Sequence, residues 1–302
     1  MSADLELVAP AGTPARLRAA VDGGADAVYL GFRDATNARN FPGLNFSREE
    51  LREGAVYAHA RGVRVLVAIN TFPEAGNREP WRRAVDDAAA LGADAVILAD
   101  LGLSDYARRA HPGRRRHLSV QASAASAEAI GFYRRELGIA RVVLPRVLTL
   151  PEIAALTRAV APVETEVFVF GGLCVMAEGR CALSSYVTGQ SPNTCGVCSP
   201  ASHVRYVEEG DELVSRLGEV TVNRFAAGEP AGYPTLCKGR YVANERASYL
   251  FEEPASLDAL RMLPELKAAG VRAQKIEGRQ RGRAYVAEVM PALRAAVDAA
   301  NR

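Results

Sequence analysis

The chain has 302 residues, is 49% hydrophobic, and nearly balances 37 Lys and Arg against 35 Asp and Glu. That length can bury a large core unaided, and the charge balance gives no global basic field of the kind that advertises a nucleic-acid binder. The N-terminal residues lack a charged stretch followed by an apolar one, and no apolar run approaches the roughly 20 residues that cross a bilayer. A soluble cytoplasmic protein without a transmembrane segment is therefore expected.

In chain order, a short apolar strand (Leu5 to Ala9) leads to Thr13 and Pro14, which have the N-cap and first-turn chemistry of a helix start. Gly23 and Gly24 end that helix, and GADAVYL (Gly24 to Leu30) follows. Its near twin GADAVIL recurs at Gly92 to Leu98. A helix-ending glycine followed by a β-branched strand is repeated at Gly62, Gly138 and Gly270, with helical periodicity between these points. The strand candidates are Leu5 to Ala9, Ala27 to Phe32, Val63 to Asn70, Ala95 to Asp100, His117 to Ala122, Arg141 to Pro145, Glu164 to Phe170 and Ala273 to Glu277. Eight near-continuous apolar strands alternating with helices predict an α/β protein, a (β/α)8 TIM-type barrel forming a single domain over residues 1–302; a doubly wound open sheet is the competing arrangement. An insertion between strands seven and eight, residues 171–254, breaks the rhythm. It contains turn-rich stretches and one polar strand-like run, VRYVEEGDELVSRL. The rhythm resumes with a helix over SLDALRMLPELKAAG, the eighth strand and a closing helix.

Active sites of such barrels are built at the strand C-termini. Asn37, Arg39, Asn70, Gln121, Arg146, Lys275, Glu277 and Arg279 all stand there, and form the candidate substrate-binding set. Lys275 and Arg279 have the chemistry to hold a carboxylate or phosphate, the alternative being internal ion pairing with Glu277. The four histidines are scattered without ligand spacing and are expected at the surface or in packing. The Arg114 to Arg116 cluster is expected in a solvated turn away from the site. There is no G-x-S-x-G, H-E-x-x-H, P-loop or G-x-G-x-x-G motif, so hydrolysis has little support.

Four of the five cysteines, Cys174, Cys181, Cys195 and Cys198, fall in the insertion's first part, and Cys237 follows. In a reducing compartment such a concentration points to ligands or redox groups rather than disulfides. Converging thiolates hold zinc or an iron-sulfur cluster. Their spacing matches neither a zinc ribbon nor a ferredoxin run, and leaves the metal open.

The stretch Glu166 to Cys174, EVFVFGGLC, followed by Gly179-x-Cys181-x-x-Ser184, resembles the signature of the collagenase-like peptidase family U thirty-two. Gly172 stands where that signature usually has Ser or Ala. The resemblance extends through DATNARNFPGLNF, VAINTF, SVQASA, RVVLPRVL, GYPTLCKGRY and KIEGRQR, and is nearest to the branch acting in dioxygen-independent ubiquinone synthesis. It implies a 4Fe-4S cluster held by Cys174, Cys181, Cys198 and Cys237, with Cys195 a bystander or alternate ligand. It further implies a hydroxylase subunit acting on aromatic precursors of ubiquinone, with prephenate as oxygen donor. A UbiV-like paralogue would be its heterodimer partner, and an accessory protein with an SCP2-type domain would present the lipid. The same resemblance implies alternatives: a prephenate-dependent RNA base hydroxylase, which in related members carries extra C-terminal sequence, or a non-catalytic cluster-bearing scaffold. Peptidase activity is not expected.

Overall fold

The computed structural model describes residues 4–174 and 176–302. Seven parallel strands come first: β1 (Glu6–Pro10), β2 (Ala27–Leu30), β3 (Arg64–Ile69), β4 (Ala95–Leu98), β5 (Arg115–Leu118), β6 (Arg141–Val143) and β7 (Glu164–Gly172). An insertion then contributes β8 (Val204–Glu209), β9 (Glu212–Leu217), β10 (Val220–Phe225), β11 (Arg240–Ala243), β12 (Arg246–Tyr249) and β13 (Ser256–Asp258). The eighth barrel strand is β14 (Ala273–Ile276), which pairs in parallel with both β7 and β1. Because β6 also pairs with β7, the ring is closed. This is the expected (β/α)8 barrel, and closure excludes the open sheet.

Helix starts follow local chemistry. Thr13 caps the first helix (Pro14–Asp22) by accepting from the backbone N–H of Arg16. Ser47 and Glu50 form a reciprocal capping box on Arg48–His59, and Asp100 accepts from Leu103 to start Leu101–Ala110. Outward strand residues such as Leu7, Val28, Val67, Leu98 and Val142 pack under the helices in one buried core. Inward residues of β1 to β4 and β14 form a second, smaller apolar cluster: Val8, Ala27, Tyr29, Leu66, Ala68, Ala95, Ile97 and Ala273. The other half of the interior is charged. Arg141 contacts Glu6 at 2.7 Å, Glu164 at 2.6 Å and Glu166 at 3.3 Å, and Glu166 in turn contacts Lys275 at 2.6 Å.

Four expectations are corrected. The fifth strand begins at Arg115 and ends at Leu118 rather than running from His117 to Ala122, because Ser119 accepts from Gln121 and turns Val120–Ala122 into a 3-10 turn. Arg115 and Arg116 are therefore strand residues, and buried Arg116 spends its guanidinium on the carbonyls of Leu137, Arg114 and Gly138. The polar run Val204 to Leu217 is a hairpin, β8 and β9, reversing at Glu209↔Glu212. Ser256–Asp258 is not helical: it pairs antiparallel with the end of β7, and the α-helix begins only at Leu263, where Pro264 sets the first turn.

No helix among the described residues is long and apolar enough to cross a membrane.

Candidate functional site

A cleft opens at the C-terminal mouth of the barrel, with about 480 Å³ of empty space counting its solvent-facing opening. Arg39, Asn70, Gln121, Arg146, Lys275, Glu277 and Arg279 all line it. Thus seven of the eight sequence-derived binding candidates converge. Asn37 does not: it is fully buried behind the wall, where its Nδ2 donates to the carbonyl of Phe32 and its Oδ1 accepts from Arg279 at 3.2 Å. Its place is to hold Arg279. Asn70 lines the cleft but spends its amide on the Ala38 N–H and the Ser119 hydroxyl, each at 3.0 Å.

The cations differ in how they are paired. Arg146 grips Glu178 through Nε (3.0 Å) and Nη2 (3.2 Å), and also donates to the Gly172 carbonyl. Lys275 donates to Glu166 rather than to Glu277. Glu277 instead faces Arg39 at 3.7 Å and accepts from the Gly172 N–H at 3.3 Å. Four cations therefore share three carboxylates, and among the described residues Arg279 is left without one. It is only 4% exposed. Burial, with the charge of Arg39 adding to it, pulls the Arg279 guanidinium down to about 10. An unpaired buried guanidinium in a cleft is an anion site in waiting.

Sequence reasoning missed Tyr29, Ser119, Phe168 and Glu178. The signal for Tyr29 was present: GADAVYL and GADAVIL superimpose Tyr29 on Ile97, and both residues line the cleft. Tyr29 donates to the Ile276 carbonyl at 2.8 Å, and burial raises its hydroxyl pKa. Its ring faces the Lys275 ammonium at 3.9 Å.

The cysteine stretch is seated on this mouth. Ser123 donates to the Glu178 carbonyl, the Phe72 N–H donates to the Asn193 carbonyl at 2.9 Å, and Asn193 Nδ2 donates to the Cys181 carbonyl at 3.0 Å. Gly179 and Gly196, at φ +74 and +81, lie so close to the carbonyl oxygens of Gln121 and Asn37 that an added Cβ would come within 1.9 and 2.2 Å of them. Only glycine permits that approach.

All five thiols are free. Burial pushes Cys237 up to about 12, reinforced by the negative charge that Cys174 and Cys198 would carry. Burial likewise raises Cys174, followed by Glu178. Burial alone would lower Arg39, but Glu277 and Cys198 outweigh it and raise its affinity for the proton. The Cys174, Cys198 and Cys237 thiols thus lie near enough to influence one another, and Cys198 also acts on Arg39 of the cleft; thiols grouped in this way have the chemistry of metal or cluster ligands. Among the described residues no three His, Cys, Asp or Glu side chains form a ready cage for a single ion.

Comparison with known families decides what this arrangement belongs to, since residues 12–302 match Peptidase family U32. The chain is a member of that family. It is 33% identical to a tRNA hydroxylation protein P of Escherichia coli, over 97% of this chain and 68% of that protein. It is 31% identical to a tRNA hydroxylation protein P1 of Bacillus subtilis, over 97% of this chain and 63% of that one. A 23S rRNA 5-hydroxycytidine synthase of Escherichia coli is 31% identical, over 98% of this chain and 39% of its own length. This chain thus spans about two thirds of the tRNA relatives. A solved U32 peptidase shares the fold at TM-score 0.55 and 14% identity, covering 92% of this chain and 94% of that one.

Proposed function

We propose that this U32 member is an iron-sulfur hydroxylase that places a hydroxyl group on an aromatic or heteroaromatic ring without dioxygen, with prephenate as the oxygen donor. The observation that carries the reading is Arg279, a buried cation without a carboxylate, in a cleft whose rim bears the cysteines. A dicarboxylate fits that inventory. One carboxylate would take Arg279, and the other would meet Arg39, whose own partner Glu277 is 3.7 Å away. Gln121 has an amide free to orient the ligand's hydroxyl or ketone. Glu178, by holding Arg146, keeps that guanidinium from swinging onto the ligand and fixes the wall over Phe168.

A 4Fe-4S cluster would be held by Cys174, Cys181, Cys198 and Cys237, and would supply single electrons at the mouth. The chain's own residues shape the site there: the Cys loop is seated against Gln121 and Asn37, and the Tyr29 and Phe168 rings line the cleft.

A nucleobase in RNA is the ring favoured by the relatives' names, tRNA hydroxylation proteins in two organisms and an rRNA hydroxycytidine synthase. A second reading, an aromatic precursor of ubiquinone with a UbiV-like paralogue and an SCP2-type lipid-presenting protein as partners, is favoured by the near balance of 37 basic against 35 acidic residues. Phosphate-backbone binding depends on basic surface, which that balance does not provide in excess.

Deleting the gene and measuring both hydroxylated nucleosides by mass spectrometry and ubiquinone in cells grown without oxygen separates the two. Loss of a hydroxylated nucleoside supports the first reading, and loss of ubiquinone the second. Retention of both refutes the hydroxylase role. Protein purified without oxygen is expected to absorb near 400 nm and to contain iron and sulfide. Replacing Cys174, Cys181, Cys198 or Cys237 by Ala is expected to abolish that absorbance, and Cys195→Ala to preserve it. Iron-free wild-type protein would dispose of the cluster.

A further inference from the structure

The chain contains three lysines against thirty-four arginines, since 37 basic residues include only Lys238, Lys267 and Lys275. Lys238 and Lys267 keep side chains about a fifth exposed, at 22% and 19%. Lys275 is buried, at 4%, on the last barrel strand and in the wall of the mouth cleft. A chain that otherwise uses arginine almost throughout has an amine at this one interior position. The two groups differ chemically in what they can become: a guanidinium stays protonated in proteins, whereas an amine can release its proton and attack a carbonyl carbon.

The surroundings match that difference. Glu166 accepts from the Lys275 Nζ at 2.6 Å through one oxygen, while its other oxygen is fixed by Arg141 at 3.3 Å. Glu166 is therefore aimed at the amine and immobile. The Tyr29 ring covers another side of Nζ at 3.9 Å. In the same cleft stands the unpaired guanidinium of Arg279. A ligand with a carboxylate next to a carbonyl would satisfy both cations at once. Burial lowers the proton affinity of Lys275, and although Glu166 opposes this, the neighbouring Arg279 and Arg141 add to the lowering.

We propose that Lys275 captures a 2-oxo acid as an iminium, with Arg279 holding the carboxylate and Glu166 moving the proton. The Lys275 ammonium passes one proton to the Glu166 carboxylate, and the freed nitrogen lone pair forms a bond to the carbonyl carbon. The carbonyl π electrons move onto oxygen, which takes a proton from the new ammonium to give a neutral carbinolamine. Glu166 then returns its proton to the carbinolamine hydroxyl, which leaves as water as the nitrogen lone pair forms the C=N bond. The ammonium and ketone have become an iminium and one water, with charge conserved and no oxidant or reductant consumed. This deepens the mouth's assignment as a carboxylate site but needs neither a cluster nor a ring substrate. Capture and hydroxylation can consequently fail separately.

The test uses the whole protein with pyruvate as the probe and sodium cyanoborohydride, which reduces an iminium to a stable secondary amine. Peptide mapping by mass spectrometry then locates the adduct among three lysines and the N-terminus. The expected result is labelling concentrated on Lys275, at least tenfold above Lys238 and Lys267, falling at least tenfold in Arg279→Gln and in Glu166→Gln. Acetone, which has the carbonyl but no carboxylate, is expected to label Lys275 no better than the other two. Pyruvate labelling of Lys275 no greater than that of Lys238 and Lys267 between pH 7 and about 9 would overturn the proposal, as would equal labelling by acetone and pyruvate. A Lys275 adduct in protein that hydroxylates nothing would support capture while refuting the hydroxylase reading alone.

Discussion

Arg279 and Arg39 face the same cleft with the same chemistry but differ in partners and in exposure, 4% for Arg279 against 29% for the Arg39 side chain. Arg39 is already matched by Glu277 at 3.7 Å, whereas Arg279 has only the amide oxygen of Asn37 at 3.2 Å. A bound carboxylate therefore gains most at Arg279, where no existing ion pair must be shared. Charge-assisted hydrogen bonds contribute about 1.5–3 kcal/mol, so Arg279→Gln, which keeps a donor toward Asn37, is expected to weaken prephenate binding roughly 10- to 100-fold by calorimetry. Arg39→Gln is expected to cost several-fold less, and equal losses would show that the unpaired charge is not what binds. At this scale much of the site was legible, because a polar residue just past a barrel strand has few places to point except into the mouth. Asn37 failed that rule since Gly31 and the turn after β2 leave it under Arg279, within 2.5 Å of where a Cβ on Gly31 would sit. Lys275 was placed correctly, but its partner Glu166 lies 109 residues away, and long-range pairing leaves no local trace in sequence.

The insertion shows how glycine helps to position an element. Its cysteine stretch is held on the barrel by the Arg146–Glu178 ion pair and by close backbone approaches, the tightest of which are at Gly179 and Gly196. Gly189 shares the left-handed conformation, φ +69 against +81 for Gly196, yet has nothing within 4 Å of a Cβ position. The two separate backbone strain from collision. Both Gly189→Ala and Gly196→Ala carry the conformational penalty of about 1 kcal/mol, but only Gly196→Ala must also displace the Asn37 carbonyl. Iron and sulfide per chain, measured after purification without oxygen, are expected to stay near wild type in Gly189→Ala and to fall at least severalfold in Gly196→Ala, although every cysteine remains. An undiminished cluster in Gly196→Ala would mean that seating on the barrel is not what gathers the thiols. The glycines themselves were visible in the sequence, but their contacts were not. Element boundaries were hidden for a related reason: Ser119 ends β5 through one side-chain hydrogen bond, and Ser256–Asp258 is a strand only because the β7 edge is there to receive it.

Closure of the barrel brings charged residues from distant strands together in one half of its interior, with consequences for the whole molecule. Near-continuous apolar strands alternating with helices announced the eight strands, and most outward positions are apolar as a covered parallel sheet requires, with buried Arg116 and Gln274 as exceptions. The inward positions Glu6, His117, Arg141, Glu164, Glu166 and Lys275 gave no sign in sequence of meeting one another, since they come from five different strands or strand pairs. Together they link the barrel base to the mouth cleft. Burial alone would raise the pKa of Glu6 and Glu166, but Arg141 and Arg64 together outweigh it at Glu6, and Lys275 with Arg141 outweighs it at Glu166, so both carboxyls titrate below their usual 4.5. Burial, with Arg141, Arg115 and Lys275 opposing a further positive charge and only Glu6 favouring one, drives His117 well below its usual 6.5, and neither ring nitrogen has a hydrogen-bond partner. All three shifts have one sign: the unfolded chain binds protons that the folded barrel refuses, so stability falls as pH falls. The His117 contribution begins to disappear below about pH 6.5, and those of Glu6 and Glu166 only below about 4.5. Urea midpoints are accordingly expected to be flat between about pH 8 and 7, to decline from about 6.5, and to decline more steeply below 4.5. In His117→Leu, which removes two unpartnered buried nitrogens and fills a comparable space, the first decline is expected to vanish and the second to persist. An unchanged fall between pH 6.5 and 5 in that variant would show that a group other than His117 takes up the proton.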